Sequence, residues 1–168
     1  TQNVSIVRSM QHVNFPANVT LIAAMNPPDS ALHNRALGMA KIRAKISAPL
    51  LDRFDAQIWV PPVEFSDLVS KVNYESSDSV RKRVEIARSL QMQRRGMLNS
   101  RLGRAELSQD IELSSTSERL LSRAVEKFGM TARGTHRVLR LARTIADLEQ
   151  ATGVADIHIA EAISLRQG

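Results

Sequence analysis

Apolar residues change their spacing at about residues 62–77 of this 168-residue chain. Before that point the pattern is strand-like. Val4-Ser5-Ile6-Val7 alternates weakly, and the Val4–Phe15 segment reads as hairpin strand. Val19-Thr20-Leu21-Ile22-Ala23-Ala24 is a nearly continuous apolar run, as expected of a strand buried on both faces of a parallel sheet. It stops at Met25-Asn26-Pro27-Pro28, where two prolines end any regular element. A polar stretch to about Ile42 reads as a loop. The apolar segment 46–51 leads into Asp52-Arg53-Phe54-Asp55, and Ala56–Val60 reads as a second short strand closed by Pro61-Pro62.

After that point helical spacing takes over. Ser77 or Asp78 caps a long helix with Val80, Val84, Ala87 and Leu90 or Gln91 on one side, ending near Gly96. Ser115-Thr116-Ser117-Glu118 has capping-box spacing, followed by a Leu120, Leu121, Ala124, Val125, Phe128 stripe and a stop at Gly129. Thr131 caps the next helix, which carries Val138, Leu141, Ala142, Ile145 and Leu148 and runs to about Thr152-Gly153. Asp156 caps a last short helix through Leu165. The predicted fold is therefore the remnant of an α/β sheet, with parallel-sheet strands, followed by an all-α bundle, and mostly helical overall. Two strands without partners make no stable sheet, so the pattern predicts further sequence before Thr1.

Composition narrows this picture. Six aromatic residues against 43% apolar content make the core one of Leu, Ile, Val and Ala. Without cysteine there is neither a disulfide framework nor a Cys-ligated zinc site. No apolar run approaches the roughly 20 residues of a membrane span, so no membrane partner is expected, and a cytoplasmic location fits. The net charge of +6 is concentrated: Arg81, Lys82, Arg83, Arg88, Arg94, Arg95, Arg101 and Arg104 face Glu85 alone within residues 81–104. Such a concentration suits a polyanion, and without an aromatic residue in it any contact would be to phosphates rather than bases. A solvated helix packed against an acidic neighbour explains the same charge. Arg8 and His12, on the hairpin, are further candidates for nucleic-acid contact. His12, His33, His136 and His158 lie too far apart for a local metal pair, and Asp110, Glu112, Asp147 and Glu149 read as surface charge.

Three motifs carry candidate chemistry. Asn26 ends an apolar strand, the place where ligands sit in open α/β sheets, although Asn before Pro is also an ordinary turn former. Arg53 lies between two carboxylates at an element end, from which a guanidinium can reach a transferring phosphoryl group; a surface Arg paired with Asp52 or Asp55 is the plainer reading. Arg133 falls in the first turn of a predicted helix, where the helix dipole favours an anion. Arg137 and Arg140 follow on the same face, and a merely solvated basic face competes there.

The order apolar-strand-Asn-Pro, LLDRFD, and TARGTHRVLRLARTIADL resembles the magnesium-chelatase-related ATPases of the AAA+ class, within them the ComM-like group, over about Val4 to Arg166. The resemblance implies a AAA+ core C-terminal part over 1–62, a linker with a basic helix over 63–113 and a helical lid over 114–168. It implies that Asn26 is sensor 1, positioning the attacking water, and that Arg53 is an arginine finger acting on the adjacent subunit. Arg133 becomes sensor 2, contacting nucleotide phosphates, with Arg137 beside it. The implied partners are identical subunits in a ring, a hexamer, and DNA, with ATP hydrolysis coupled to DNA remodelling of the helicase or branch-migration type. Two departures limit this. The closely spaced cysteines usual after the Asn-Pro are replaced by Pro27-Pro28-Asp29-Ser30-Ala31. No Walker A is present: the nearest approach, Gly129 to Gly134, is followed by Thr135-His136 and joins two helices where a P-loop needs a strand before it. No apolar strand ends in the acidic pair of a Walker B. ATP and Mg²⁺ are therefore expected only in a longer protein, and this segment alone should be inactive. Two other readings stay open: the ATPase subunit of a magnesium chelatase inserting Mg into a porphyrin, and a stand-alone basic helical nucleic-acid-binding module.

Overall fold

A computed structural model describes residues 3–8, 11–26, 34–65, 69 and 74–167. The expected hairpin is present. Strands β1 (Asn3–Arg8) and β2 (Gln11–Pro16) pair antiparallel, with Val4 opposite Phe15 and Val7 opposite His12. It is the only sheet among the described residues, and its apolar side chains Val4, Ile6, Val7, Val13 and Phe15 are exposed.

The two parallel-sheet strands expected over 19–24 and 56–60 do not form. Both segments are irregular, and Ile22 is 88% and Val60 79% exposed. The physical reason is partnership: a strand's backbone groups need a neighbouring ladder, and among the described residues no strand pairs with either segment. The polar stretch expected to be a loop becomes, in part, helix α1 (Arg35–Lys45). Asn34 caps it by accepting from the Leu37 N–H at 3.0 Å, and Ala, Leu, Met and Lys sustain it despite Gly38. Helix α2 (Ala48–Leu51) is a single turn leading to residues 52–55.

The remaining helices form one bundle: α3 (Ser77–Arg95), a 3₁₀ turn (Asn99–Arg101), α4 (Arg104–Asp110), α5 (Ser115–Phe128), α6 (Ala132–Leu148) and α7 (Asp156–Gln167). Helix α6 is its centre, packing on α7, α3, α4 and the 3₁₀ turn. Val138, Ala142 and Ile145 of α6 meet Leu121 of α5 and Ile159 and Ala162 of α7. The aliphatic stripes on these helices thus close a core whose Val138 and Ile159 have no exposed surface. Truncating a residue such as Ile159 to Ala costs about 2–5 kcal/mol. A second apolar cluster, Leu102, Leu107 and Ile111, joins α4 to the same bundle through Leu113, Leu139 and Val154. No helix among the described residues is long and apolar enough to cross a membrane.

The helix ends largely follow the capping signals, with four shifts. Helix α3 is capped by Ser76 rather than Ser77 or Asp78, because the Ser76 hydroxyl accepts from the Ser79 N–H at 3.2 Å. Gly96 and Gly129 close α3 and α5 at φ 65° and 59°, the left-handed region that glycine enters without a Cβ penalty. Thr131 caps α6, accepting from the Gly134 N–H at 3.0 Å. The cap of α5 is Ser114 rather than Ser115, because the Ser114 hydroxyl reaches the Ser117 N–H at 3.0 Å. Helix α6 ends at Leu148, short of Thr152, because the buried Arg143 guanidinium donates to the Thr152 and Ala151 carbonyls and folds the following turn back. Asp156 is the first residue of α7, not its cap, and its carboxylate accepts from the Ser114 and Ser117 hydroxyls at 2.5 Å each. Those two bonds hold the Asp156 carboxyl below its usual range.

Candidate functional site

The turn at residues 52–55 meets the start of α6, and a cavity of about 870 Å³ opens between them and the irregular segment 17–21. Arg53, Arg133, Arg137 and Arg140 all line it, with Asp55 as the one carboxylate among its lining residues. Arg133 stands exposed in the first turn of α6. Arg140 lies two turns further along the same side, and its Nε is buried without a hydrogen-bond partner. Burial, ahead of the Arg137 and Arg133 charges, pulls its pKa down against the attraction of Asp55. A concentration of guanidinium with an unspent buried donor is the donor set of an oxyanion or phosphate site.

The plainer reading of Arg53, a surface cation paired with its own flanking carboxylates, does not describe the turn. Asp52 is held by Arg166 at 2.5 Å and Asp55 by Arg137 at 2.7 Å, while Arg53 donates to the Pro49 carbonyl at 2.7 Å. Arg137 also donates to the Arg53 carbonyl, so its charge is engaged by the turn rather than free in the cavity. Asn26 is exposed at the end of the irregular segment and does not line the cavity. Pro27 to His33 lie outside the described residues. Arg166 is the site's contributor that motif reading did not single out, while Arg140 was placed on the Arg133 face without a role of its own. For Arg140 the i+7 spacing from Arg133 was the available signal; for Arg166 there was none, since its partner lies 114 positions away.

The basic stretch divides into spent and available charge. Arg94 forks onto Asp147 at 2.7 and 2.9 Å, lies 3.3 Å from Asp110, and donates to Asn99. Arg95 donates to Asp110 at 2.8 Å. Both are therefore consumed in fixing α3 to α6 and α4. Arg83 and Arg81 pair with Glu75 and Asp78 in exposed positions, where such pairs contribute little. Lys82, Arg88, Arg101 and Arg104 stand exposed with no partner recorded among the described residues. On the hairpin, Arg8 and His12 are exposed.

The expectation that Asp110 and Asp147 are surface charge is overturned. Their side chains are 4% and 1% exposed, and they anchor a buried network. Asp147 accepts from Arg94, Asn99 and Arg143, and Asn99 also donates its side-chain amide to Thr144 and its backbone N–H to the Gln91 side-chain oxygen. Burial works to raise the Asp147 pKa, but the bonds from Arg94 and Asn99 and the Arg143 charge outweigh it and hold the carboxyl below its usual range. Asp147 pushes Arg94 up, while full burial of Arg143 pulls that guanidinium down despite the same partner. Glu149 is spent too, lying 2.9 Å from His158 Nε2. His158 Nδ1 accepts the Ala155 N–H at 2.8 Å, which leaves Nε2 as the donor.

Comparison with known proteins bears on both halves of the chain. The model of the family "Magnesium chelatase, subunit ChlI" matches residues 1–68, and "Magnesium chelatase, subunit ChlI C-terminal" matches 74–166. The competence protein ComM of Haemophilus influenzae is 35% identical over 170 aligned residues, which cover 97% of this chain and 33% of the relative. YifB of Escherichia coli is 34% identical and YifB of Salmonella typhimurium 36%, each over 97% of this chain and 34% of its own length. The chain spans about a third of the length of the curated relatives it matches.

Proposed function

Because the chain belongs to the magnesium chelatase subunit ChlI family, we propose that it is the C-terminal part of a ring-forming AAA+ ATPase of the ComM-like group, with the arginine-lined cavity as its phosphate site. In this reading Arg53 is the arginine finger and Arg133 is sensor 2, both supplied by one subunit to nucleotide held by its neighbour. Asn26 is sensor 1 and orients the attacking water. The observation that carries the reading is the meeting of Arg53 and Arg133 on one cavity, whose lining also includes Arg140 with its unpartnered Nε and a single carboxylate. Guanidinium groups preset around a transferring phosphoryl stabilise the charge spread over its oxygens, and their donors need no reorganisation as that charge grows.

The cavity residues fit phosphate oxygens and do not fit a metal. Among the described residues no three His, Asp or Glu side chains are grouped to hold a cation, so Mg²⁺ is assigned no ligand here and no step is derived through it. We assign the work of the ATPase to DNA remodelling, with Lys82, Arg88, Arg101 and Arg104 as the phosphate-contacting charge. The family description itself favours one second reading, the ATPase subunit of a magnesium chelatase acting on a porphyrin.

The test is ATP hydrolysis by the full-length protein, with and without DNA, for wild type, Arg53→Ala and Arg133→Ala. Loss of turnover on the order of 10³-fold or more is expected for Arg53→Ala, with the ring still assembled. Stimulation by DNA that falls in a Lys82→Glu/Arg88→Glu variant supports the DNA reading; a response to porphyrin and not to DNA supports the chelatase. Unchanged turnover in both arginine variants refutes the site assignment and leaves a basic helical module.

A further inference from the structure

The carbonyls of Asp52, Arg53 and Phe54 and the carboxylates of Asp52 and Asp55 are all occupied by the two helices beside the turn. Arg166 of α7 donates to the Asp52 carbonyl at 3.3 Å, the Phe54 carbonyl at 2.8 Å and the Asp52 carboxylate at 2.5 Å. Arg137 of α6 donates to the carbonyl between them, that of Arg53, and to the Asp55 carboxylate at 2.7 Å. Three successive carbonyls and both carboxylates are thus gripped by two guanidiniums whose side chains are 8% and 13% exposed. The Gln57 N–H continues the attachment by donating to the Leu165 carbonyl at 2.7 Å. Gly134 makes room for it: a Cβ there would lie 3.2 Å from Arg166 Nη2 and 3.5 Å from the Asp52 carboxylate.

We propose that Arg166 and Arg137 are positioning residues that lock the Arg53 turn onto α6 and α7, so that Arg53 and Arg133 meet phosphate as one rigid unit and each subunit's finger moves with its own helical bundle. This rests on the nucleotide reading above. The grip does two things. It fixes the backbone that aims Arg53, and it keeps Asp52 and Asp55, the carboxylates nearest in sequence, from neutralising the finger. The tolerance is small, since a misplacement of about 1 Å at a reacting centre costs about 100-fold in rate.

The experiment measures steady-state ATP hydrolysis, ring assembly and thermal stability of the full-length protein, with Arg53→Ala as the benchmark. Arg166→Ala is expected to lower kcat about 100-fold while the KM for ATP and ring assembly stay near wild type. Arg166→Lys should restore only part, because a point-charge ammonium cannot fork across the Asp52 carboxylate and the Phe54 carbonyl. Gly134→Ala crowds the same guanidinium without removing a charge and should lower kcat in the same direction. Mixing Arg166→Ala subunits into wild-type rings should inhibit as mixing Arg53→Ala subunits does. If Arg166→Ala fails to fold, Arg166→Lys and Gly134→Ala decide. Wild-type kcat in those variants, beside an inactive Arg53→Ala, overturns the lock and leaves the nucleotide reading standing. A fully active Arg53→Ala overturns both.

Discussion

Replacing Asp147 by Ala should be among the most destabilising single changes in the bundle that involve no catalytic group. Asp147 is 1% exposed and accepts from Arg94 at 2.7 and 2.9 Å, from Asn99 at 2.7 Å and from Arg143 at 3.1 Å. The damage is set by what is left behind. Arg94, with 24% of its side chain exposed, keeps Asp110 and can turn to water. Arg143, at 1%, cannot; it retains only the carbonyls of Thr152 and Ala151 and becomes a buried cation with no bonded counter-charge, Asp110 acting on it only through space. Removing one partner of a buried ion pair costs about 3–5 kcal/mol. At about 2–4 °C per kcal/mol for a chain of this size, Tm falls by roughly 6–20 °C. Urea unfolding followed by circular dichroism measures it as a lower midpoint at unchanged slope. The double change Arg143→Met/Asp147→Leu should recover much of the loss, because it removes the stranded charge as well. A loss under about 1 kcal/mol for Asp147→Ala, or a double variant as unstable as the single one, would refute the view that the uncompensated Arg143 charge is the cost.

Two further outcomes follow from the same geometry. Because the folded Asp147 pKa lies below its unfolded value, its contribution is complete above the ordinary carboxylate range and is lost as pH falls through the folded value. Tm measured from pH 7 down to 2 should therefore drop in acid, and Asp147→Asn should flatten that drop. Gly129→Ala should cost about 1–2 kcal/mol, because φ is 59° while nothing lies within 4 Å of the added Cβ. The price there is conformational alone, and calorimetry showing no loss would contradict the left-handed cap.

Four helices of the bundle were legible in the sequence because each carries its own evidence: Gly96, Gly129 and Thr131 mark ends, and the Leu121, Val138, Ala142, Ile145 spacing marks the core; α4, seven residues with only Leu107 buried, was not. The stretches over 19–24 and 56–60 were misread because an apolar run reports a wish for burial, not the partner that grants it. Helix α1 was missed because Gly38 and the polar residues around it mask a capped run of good helix formers. At the cavity, the motifs pointed to Arg53 and Arg133, and their roles came from the family resemblance rather than from their local settings. The ion network and the turn's attachment were not found, because Asp147 and Arg94 are separated by 53 positions and Arg166 and Asp52 by 114. Charge spacing along the chain makes Asp147 look like any exposed acid; only the packing of α3 on α6 takes it out of water.

Helix α6 explains why these features share one segment. At about 100° per residue, Arg133, Arg137, Arg140 and Thr144 fall within an arc of roughly 60°, and all four line the cavity. Val138, Ala142 and Ile145 fall on a second arc and enter the core. Arg143 and Asp147 fall on a third and bind α3 through Arg94. One helix therefore turns a cavity-facing side, a packing side and an ionic side to three neighbours at once. A rotation of α6 that moved Arg133 at the cavity would have to break either the aliphatic core or the Asp147 network, each worth several kcal/mol. The economical motion is of the bundle as a body, and the turn bearing Arg53 is bonded to that body through Arg137 and Arg166.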